Sequence, residues 1–489
     1  MTSAPMETVA IAGSGLTAWS AAAALRRRIP SLDITVVGAP VAPNALADRM
    51  ISTLPSIRGF HGDIGLTDED TITRAGSALR LGSLFEGWAM DLPDYVHAYG
   101  AYGTSFGGVP FHQLWLRERP RSALPPFDHF SPAAEMARAG RIPSGSTPDI
   151  QAGLQLTISR YCEMMRAYAL HLGVREARGQ MIDVSLHADS GRIESVHLAG
   201  DGQIAADLYL DCSGPAAILR SRVRSDFIRW SSWLPCDRLV MSRGNPIPEV
   251  QTMDRVTASA AGWRWSASSP ECSSKGLVYS SAHVRDADLE RELLDWESSS
   301  NHETIEVSQG RWADLWVGNC VAIGDAAVAI EPLEWTNLHL AHSQIDRVVT
   351  MMPSSDCTPI ELTEFNRQCA AEADRVRDFV CLHYLCSRRQ EPFWKDASSI
   401  MPPESLAHTL SLFSERGRLP YYEEETFSRD SWLAVLLGQG FEPRAIDPLA
   451  DIVSDAQATR AFASMGQSLS SFTLPVASAP PELNPHGIR

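Results

Sequence analysis

The sequence contains no Cys-x-x-Cys pair among its nine cysteines. An odd, scattered set of thiols argues against a disulfide framework and against a zinc ribbon, and it fits a reducing compartment. Nor does any run of Lys or Arg form a stripe, and with a net charge of −17 the surface repels phosphate backbones, which disfavours nucleic-acid binding. The opening residues, MTSAPMETVAIAGSG, lack the basic-then-apolar order of a signal peptide. No apolar run approaches the roughly 18 residues that a membrane span needs, so a cytoplasmic protein without a membrane partner is expected. Cys381, His383 and Cys386 come close together, but their spacing matches no common zinc module and reads as buried structural residues, with no metal site.

What is present is ordinary for a folded chain: 44% hydrophobic and 21% charged residues. A length of 489 residues exceeds what one hydrophobic core serves, so two modules are expected, interleaved in sequence. Only the tails, above all the Pro-rich stretch from Ala477, read as poorly ordered.

The clearest segment lies near the start. Val9-Ala10-Ile11-Ala12 is a short apolar strand, Gly13-Ser14-Gly15-Leu16-Thr17-Ala18 a tight turn, Trp19 to Arg28 an Ala-rich helix and Asp33 to Val37 a second strand. Gly13-x-Gly15-x-x-Ala18 in this context predicts a dinucleotide pyrophosphate site. Gly13 permits the turn, Gly15 the close approach of backbone to phosphate, and Ala18 the packing of helix on strand, while the helix start faces the anion. One part is missing: the second strand ends in Gly38-Ala39-Pro40, with no carboxylate for the ribose, leaving Asp48 and Arg49 as candidates.

A second strand–turn–helix pattern decides between cofactors. Val321-Ala322-Ile323 leads into Gly324-Asp325-Ala326-Ala327, and a helix follows from Leu338 to Met351. This resembles the second fingerprint of FAD-dependent hydroxylases, and Asp211-Cys212-Ser213-Gly214 resembles the middle strand-end of flavoproteins. FAD is the expected cofactor, held by Gly13 to Ala18, Arg49, Gly214, Gly324, Asp325 and Leu338.

Further blocks carry a more specific resemblance. Ser52 to Arg58, Phe111 to Arg117, Trp230 to Arg238, Gly262 to Trp265, Asn319 to Gly324, Glu331 to Glu334, Arg377 to Tyr384, Phe393-Trp394, Ser431-Trp432 and Asp447 to Leu449 follow one another in order along nearly the whole chain. Together they resemble the flavin-dependent tryptophan halogenase family. The resemblance implies an α/β fold: an FAD-binding three-layer ββα module, Rossmann-like and of the glutathione-reductase/hydroxylase type, with an interleaved, mostly helical substrate module. Residues 1–350 would form the FAD module, with insertions at about 83–150 and 220–300, and residues 351–489 the C-terminal helical part.

The resemblance also implies chemistry. Members use reduced FAD, delivered by a separate flavin reductase, with oxygen and chloride or bromide to make hypohalous acid. That acid travels through a tunnel to an electron-rich aromatic ring, where a Lys positions the halogen and a Glu stabilises the charged intermediate. Glu334 matches this Glu, Thr336 and Asn337 the halide-binding positions, and Trp263 and Trp265 the tryptophans that keep substrate from the flavin. A small-molecule or peptide-borne aromatic substrate and a homodimer are the family-level expectations.

Several positions depart from the pattern. The Lys position holds Arg80, whose guanidinium cannot carry a halogen as an amine does. Asp48-Arg49-Met50-Ile51 replaces the glycines of the flavin loop, Trp335 stands beside the halide positions, and Asp325 resembles hydroxylases rather than halogenases. Three readings therefore stay open from the sequence: a halogenase, a flavin monooxygenase on the same scaffold, and a non-catalytic paralogue that binds a partner.

Overall fold

The computed structural model describes residues 4–143, 148–223, 225–246, 251–285, 289 and 303–473; the stretch from Ala477 lies outside them. Its centre is an eight-stranded sheet. In spatial order the strands are Trp316–Val317, Cys320–Ala322, Leu208–Asp211, Thr8–Ala12, Asp33–Gly38, Arg175–Leu186, Ile193–Leu198 and Gly202–Ile204. The five from Cys320–Ala322 to Arg175–Leu186 run parallel. Strands buried on both faces need continuous apolar runs, and Val9 to Ala12 and Leu208 to Leu210 supply them, each at most 2% exposed. The stretch Ile204 to Asp211, which reads as one strand in the sequence, is two. Between them Asp207 accepts from the backbone N–H groups of Glu7 and Thr8 at 3.1 and 2.8 Å, and this turns the chain into the sheet centre.

The first helix spans Leu16–Arg28 and starts three residues before Trp19, directly after Gly15. Its alanines, Ala18 and Ala21 to Ala24, are buried, and side chains of that size allow close packing on the sheet and on the helices Ile158–His171 and Thr336–Thr350. Arg26, Arg27 and Arg28 complement the negative end of the helix. No residue of its own caps the start.

A second, seven-stranded sheet runs Glu303–Glu306, Arg238–Gly244, Ser273–Tyr279, Gly262–Ser268, Met253–Ser259, Gly82–Glu86 and Tyr95–Ala98. Strands from within residues 82–98 and 238–279 thus come together in it, and the described residues after 350 are mostly helical. There Pro359–Leu385 packs against Thr336–Thr350, Pro392–Ser398, Glu404–Arg416 and Arg429–Gly438. Gly82–Glu86 joins the sheet by parallel pairing with Met253–Ser259. One continuous apolar core links the two sheets and these helices. Among the described residues no helix is long and apolar enough to cross a membrane.

Candidate active site

The two glycine turns predicted to grip one cofactor do converge. A Cβ on Gly13 would stand 2.8 Å from the Cys212 carbonyl oxygen and 2.9 Å from Ala18 Cβ, so only glycine lets the turn close on the strand end. Gly324, at φ +65°, would place a Cβ 3.1 Å from Thr17 Cγ2 and 3.2 Å from Ala341 Cβ. Leu338 is buried on the helix behind this contact. Ser14 Oγ accepts from Ala39 N–H at 3.1 Å.

The space at the head of the first helix is filled by the chain itself. Asp48 Oδ1 accepts from Thr17 N–H at 2.6 Å and from Thr17 Oγ1 at 2.8 Å, and a Cβ on Gly15 would overlap the Asp48 carboxyl group. Asp48 therefore caps a helix that has no cap of its own. Ala47 N–H donates to Asp325 Oδ2 at 2.7 Å, and a Cβ on Gly214 would lie 2.9 Å from Ala45 Cβ. Burial pushes Asp48 up to about 6, against the hydrogen bonds from Thr17, and Asp325 up to about 7. Asp48 so placed occupies the helix start that the diphosphate of FAD would otherwise meet. Arg49, expected at the cofactor, donates to the Pro43 carbonyl oxygen at 2.8 Å instead.

The second centre lies at the Glu331–Asn337 turn. Glu334 and Trp335 both adopt left-handed backbone, φ 65° and 60°, at a cost on the order of 1–3 kcal/mol each. Thr336 then returns to the right-handed region at φ −83° and ψ −13° and opens the Thr336–Thr350 helix. A left-handed residue followed by a right-handed one forms an N–H-lined concavity for an anion, and the helix start adds its dipole. Thr336 and Asn337 thus occupy backbone suited to halide. Asn337 Nδ2 is engaged by Ile330 O at 2.9 Å and by Asp325 Oδ1 at 3.3 Å.

Glu334 is 1% exposed. His97 Nδ1 lies 2.8 and 2.9 Å from its two carboxylate oxygens, and His383 Nε2 stands 3.2 Å from Oε1. Burial alone would raise its pKa, but the His97 charge and the contacts of both imidazoles outweigh this and hold the carboxylate well below its usual range. The sequence reading missed His97 and took His383 for a structural residue beside the buried thiols of Cys381 and Cys386. His97 lies in none of the ordered blocks, and His383 lies within the Arg377 to Tyr384 block without standing out there; they come from the Tyr95–Ala98 strand and the Pro359–Leu385 helix, 286 positions apart in sequence.

Arg80, expected in the catalytic position, is fully buried and held by hydrogen bonds within the protein. Its Nε pairs with Asp254, Nη1 donates to Tyr99 Oη and to Thr53 O at 3.1 Å, and Nη2 donates to Ser83 Oγ at 2.6 Å. Four of the five guanidinium N–H groups are thereby engaged within the protein. The physical reason is Asp254, also fully buried, whose charge requires a matched partner. The geometry makes Arg80 a cross-link that fixes Tyr99.

Trp263 and Trp265, two apart on the Gly262–Ser268 strand, share one face with ring centroids 5.8 Å apart. Both are buried. Trp263 Nε1 donates to Tyr384 Oη at 3.0 Å, which in turn donates to Glu331 at 2.6 Å. Trp335 continues the aromatic wall, its centroid 6.2 Å from Trp265 and 5.7 Å from the Arg80 guanidinium carbon. A cavity of about 560 Å³ opens on the other side of Tyr99 and Phe427, and Leu54, Pro55 and Ile150 also line it. The His97 ring lies directly behind them, 5.8 Å from Tyr99 and 6.2 Å from Phe427. The loops around Tyr99 and Phe427 therefore meet here.

Known proteins resemble this chain over nearly its whole length. The tryptophan halogenase family model matches residues 8–455. BrvH, a flavin-dependent halogenase from Brevundimonas sp. BAL3, superposes with a TM-score of 0.90 at 31% identity over 97% of this chain and 98% of its own. Xcc4156, a flavin-dependent halogenase from Xanthomonas campestris, does so at 0.91 and 29%, over 96% of each chain. Tryptophan 6-halogenase SttH from Streptomyces toxytricini is 26% identical over 93% of this chain and 94% of its own length. With the Glu334 centre, the tryptophan wall and the paired glycine turns in place, the chain belongs to the tryptophan halogenase family and is an oxidoreductase of the flavin-dependent halogenase type.

Proposed function

We propose that this protein halogenates an indole or a related electron-rich ring bound in the Tyr99–Phe427 cavity, using reduced FAD from a separate flavin reductase. The observation that carries this reading is the buried Glu334 carboxylate, flanked by two imidazoles one side chain behind the cavity wall.

When bound, the flavin supplies the oxidised halogen; the chain's own residues direct it. The Trp335–Asn337 concavity holds the halide ion. Trp263, Trp265 and Trp335 separate the ring from the cofactor side, which disfavours ordinary monooxygenation. Glu334 is held too low to be a useful base, so it acts by its field. In a water-poor interior a fixed negative charge stabilises the cationic ring that forms as halogen adds. Arg80 is a positioning residue that fixes Tyr99 through its phenol oxygen.

The test is incubation with a flavin reductase, oxygen, bromide and a panel of indoles, read by mass spectrometry. A bromine isotope pair on the product supports the reading. One added oxygen overturns it in favour of hydroxylation, and an unchanged panel under flavin-saturating conditions leaves a binding protein.

A further inference from the structure

The head of the Leu16–Arg28 helix is where the family's cofactor and this chain's own packing collide. Three features of the Ala45–Met50 strap cover three separate parts of one dinucleotide seat. The Asp48 carboxylate takes the Thr17 amide and hydroxyl that face an incoming phosphate. Ala47 N–H ties the strap to the second glycine turn through Asp325. Ala45 closes on Gly214, at the middle strand-end. Leu46 and Met50, 2% and 3% exposed, anchor the strap from within, and Met50 N–H closes onto Leu46 O at 2.9 Å. The arm leading to it carries Pro40 and Pro43 and is exposed at Val41.

We propose that the strap is a displaceable occupant of the FAD diphosphate seat, and that Asp48 sets the chain's affinity for dinucleotide by competing with the diphosphate for the start of the Leu16–Arg28 helix. The proposal rests on the flavin reading above. A carboxylate and a phosphate want the same thing from a helix start: N–H donors and the positive end of the dipole. A diphosphate carries more charge and more acceptor oxygens than one carboxylate, so it is the stronger ligand once the strap moves. The closed arrangement also crowds the Asp48 and Asp325 carboxyls into one enclosed space, where burial drives both toward neutrality. A seat that must first be vacated binds its ligand more weakly by the fraction of molecules already open. The missing ribose carboxylate at Gly38 lowers affinity further, so the strap governs loading.

The experiment compares full-length wild type, Asp48→Asn and Asp48→Ala. Asparagine keeps an acceptor for Thr17 and removes the charge. FAD is titrated by flavin fluorescence, ADP by calorimetry, and hydrogen exchange at Ala47 to Met50 is followed in wild type with and without ADP. Asp48→Asn is expected to bind both ligands about tenfold more tightly, Asp48→Ala to move in the same direction, and the strap amides to lose protection when ADP binds. Equal or weaker binding by the variants, or strap amides that stay protected with ADP bound, overturns the proposal alone. Weaker binding would make Asp48 a ribose ligand. Binding of neither ligand by any of the three proteins overturns the proposal together with the flavin reading. Where a variant fails to fold, the wild-type exchange measurement decides.

Discussion

Replacing Arg80 by methionine keeps a chain of similar length and removes the charge from a site without solvent. Asp254, fully buried, would keep, among the described residues, the Gln155 amide 3.1 Å from Oδ1 as its side-chain hydrogen-bond donor. Thr53 O and Ser83 Oγ lose a donor as well, and Tyr99 loses the group that fixes its hydroxyl. Breaking a buried pair by removing one partner costs about 3–5 kcal/mol, because the remaining charge is left uncompensated. Removing both partners, Arg80→Met with Asp254→Leu, should recover most of that loss. The coupling in a double-mutant cycle should then be at least ~2 kcal/mol. Urea unfolding of the wild type, both single variants and the double variant measures it, with the slope checked for constancy. A cost below ~1 kcal/mol for Arg80→Met would refute the argument. It would mean that the guanidinium is not the counter-charge of Asp254 and is free for a role in catalysis.

Three other outcomes are expected. Glu334→Gln should lower the rate of ring halogenation by about 10²–10³-fold with aromatic binding nearly unchanged; single-turnover kinetics and ligand titration separate the two, and an equal loss in both would point to a collapsed site. Glu372, where burial is outweighed by His339, Arg347 and Ser343 so that the carboxyl lies near about 2 rather than 4.5, contributes stability that is present above pH 4.5. That contribution, about 3 kcal/mol, is lost as pH falls toward 2. Glu372→Gln should therefore flatten the acid limb of a stability–pH curve, and an unaltered limb would exclude this carboxylate. Gly276→Ala would drive a Cβ into the Trp265 ring, costing about 1–3 kcal/mol or more and altering the near-ultraviolet dichroism of the tryptophan wall; an unaltered spectrum would show that the wall is loosely packed.

Local patterns carried much of the fold. The Gly13–Ala18 and Gly324–Ala327 turns were legible because a strand, a tight turn and a helix start are specified by neighbours in sequence. Glu334, Trp263 and Trp265 were legible through ordered blocks. What stayed hidden depends on distant pairing. Asp254 meets Arg80 across 174 positions, and the seven-stranded sheet is joined by a parallel pairing of Gly82–Glu86 with Met253–Ser259 that no local alternation announces. In the sequence Asp48 reads as a candidate for the ribose. Only the packed chain shows it 31 positions back, answering the bare amides of a helix that its own sequence leaves uncapped.

The left-handed turn at Trp335 has a consequence for how this protein can change. Glycine would adopt that backbone freely, so an indole there holds the peptide in a geometry its own Cβ resists. Relief is one substitution away, yet it would delete the ring that spans Trp265 and Arg80. Evolution toward a more robust backbone and evolution that keeps these ring contacts therefore pull this position in opposite directions. A thermally hardened descendant would be expected to lose this indole first.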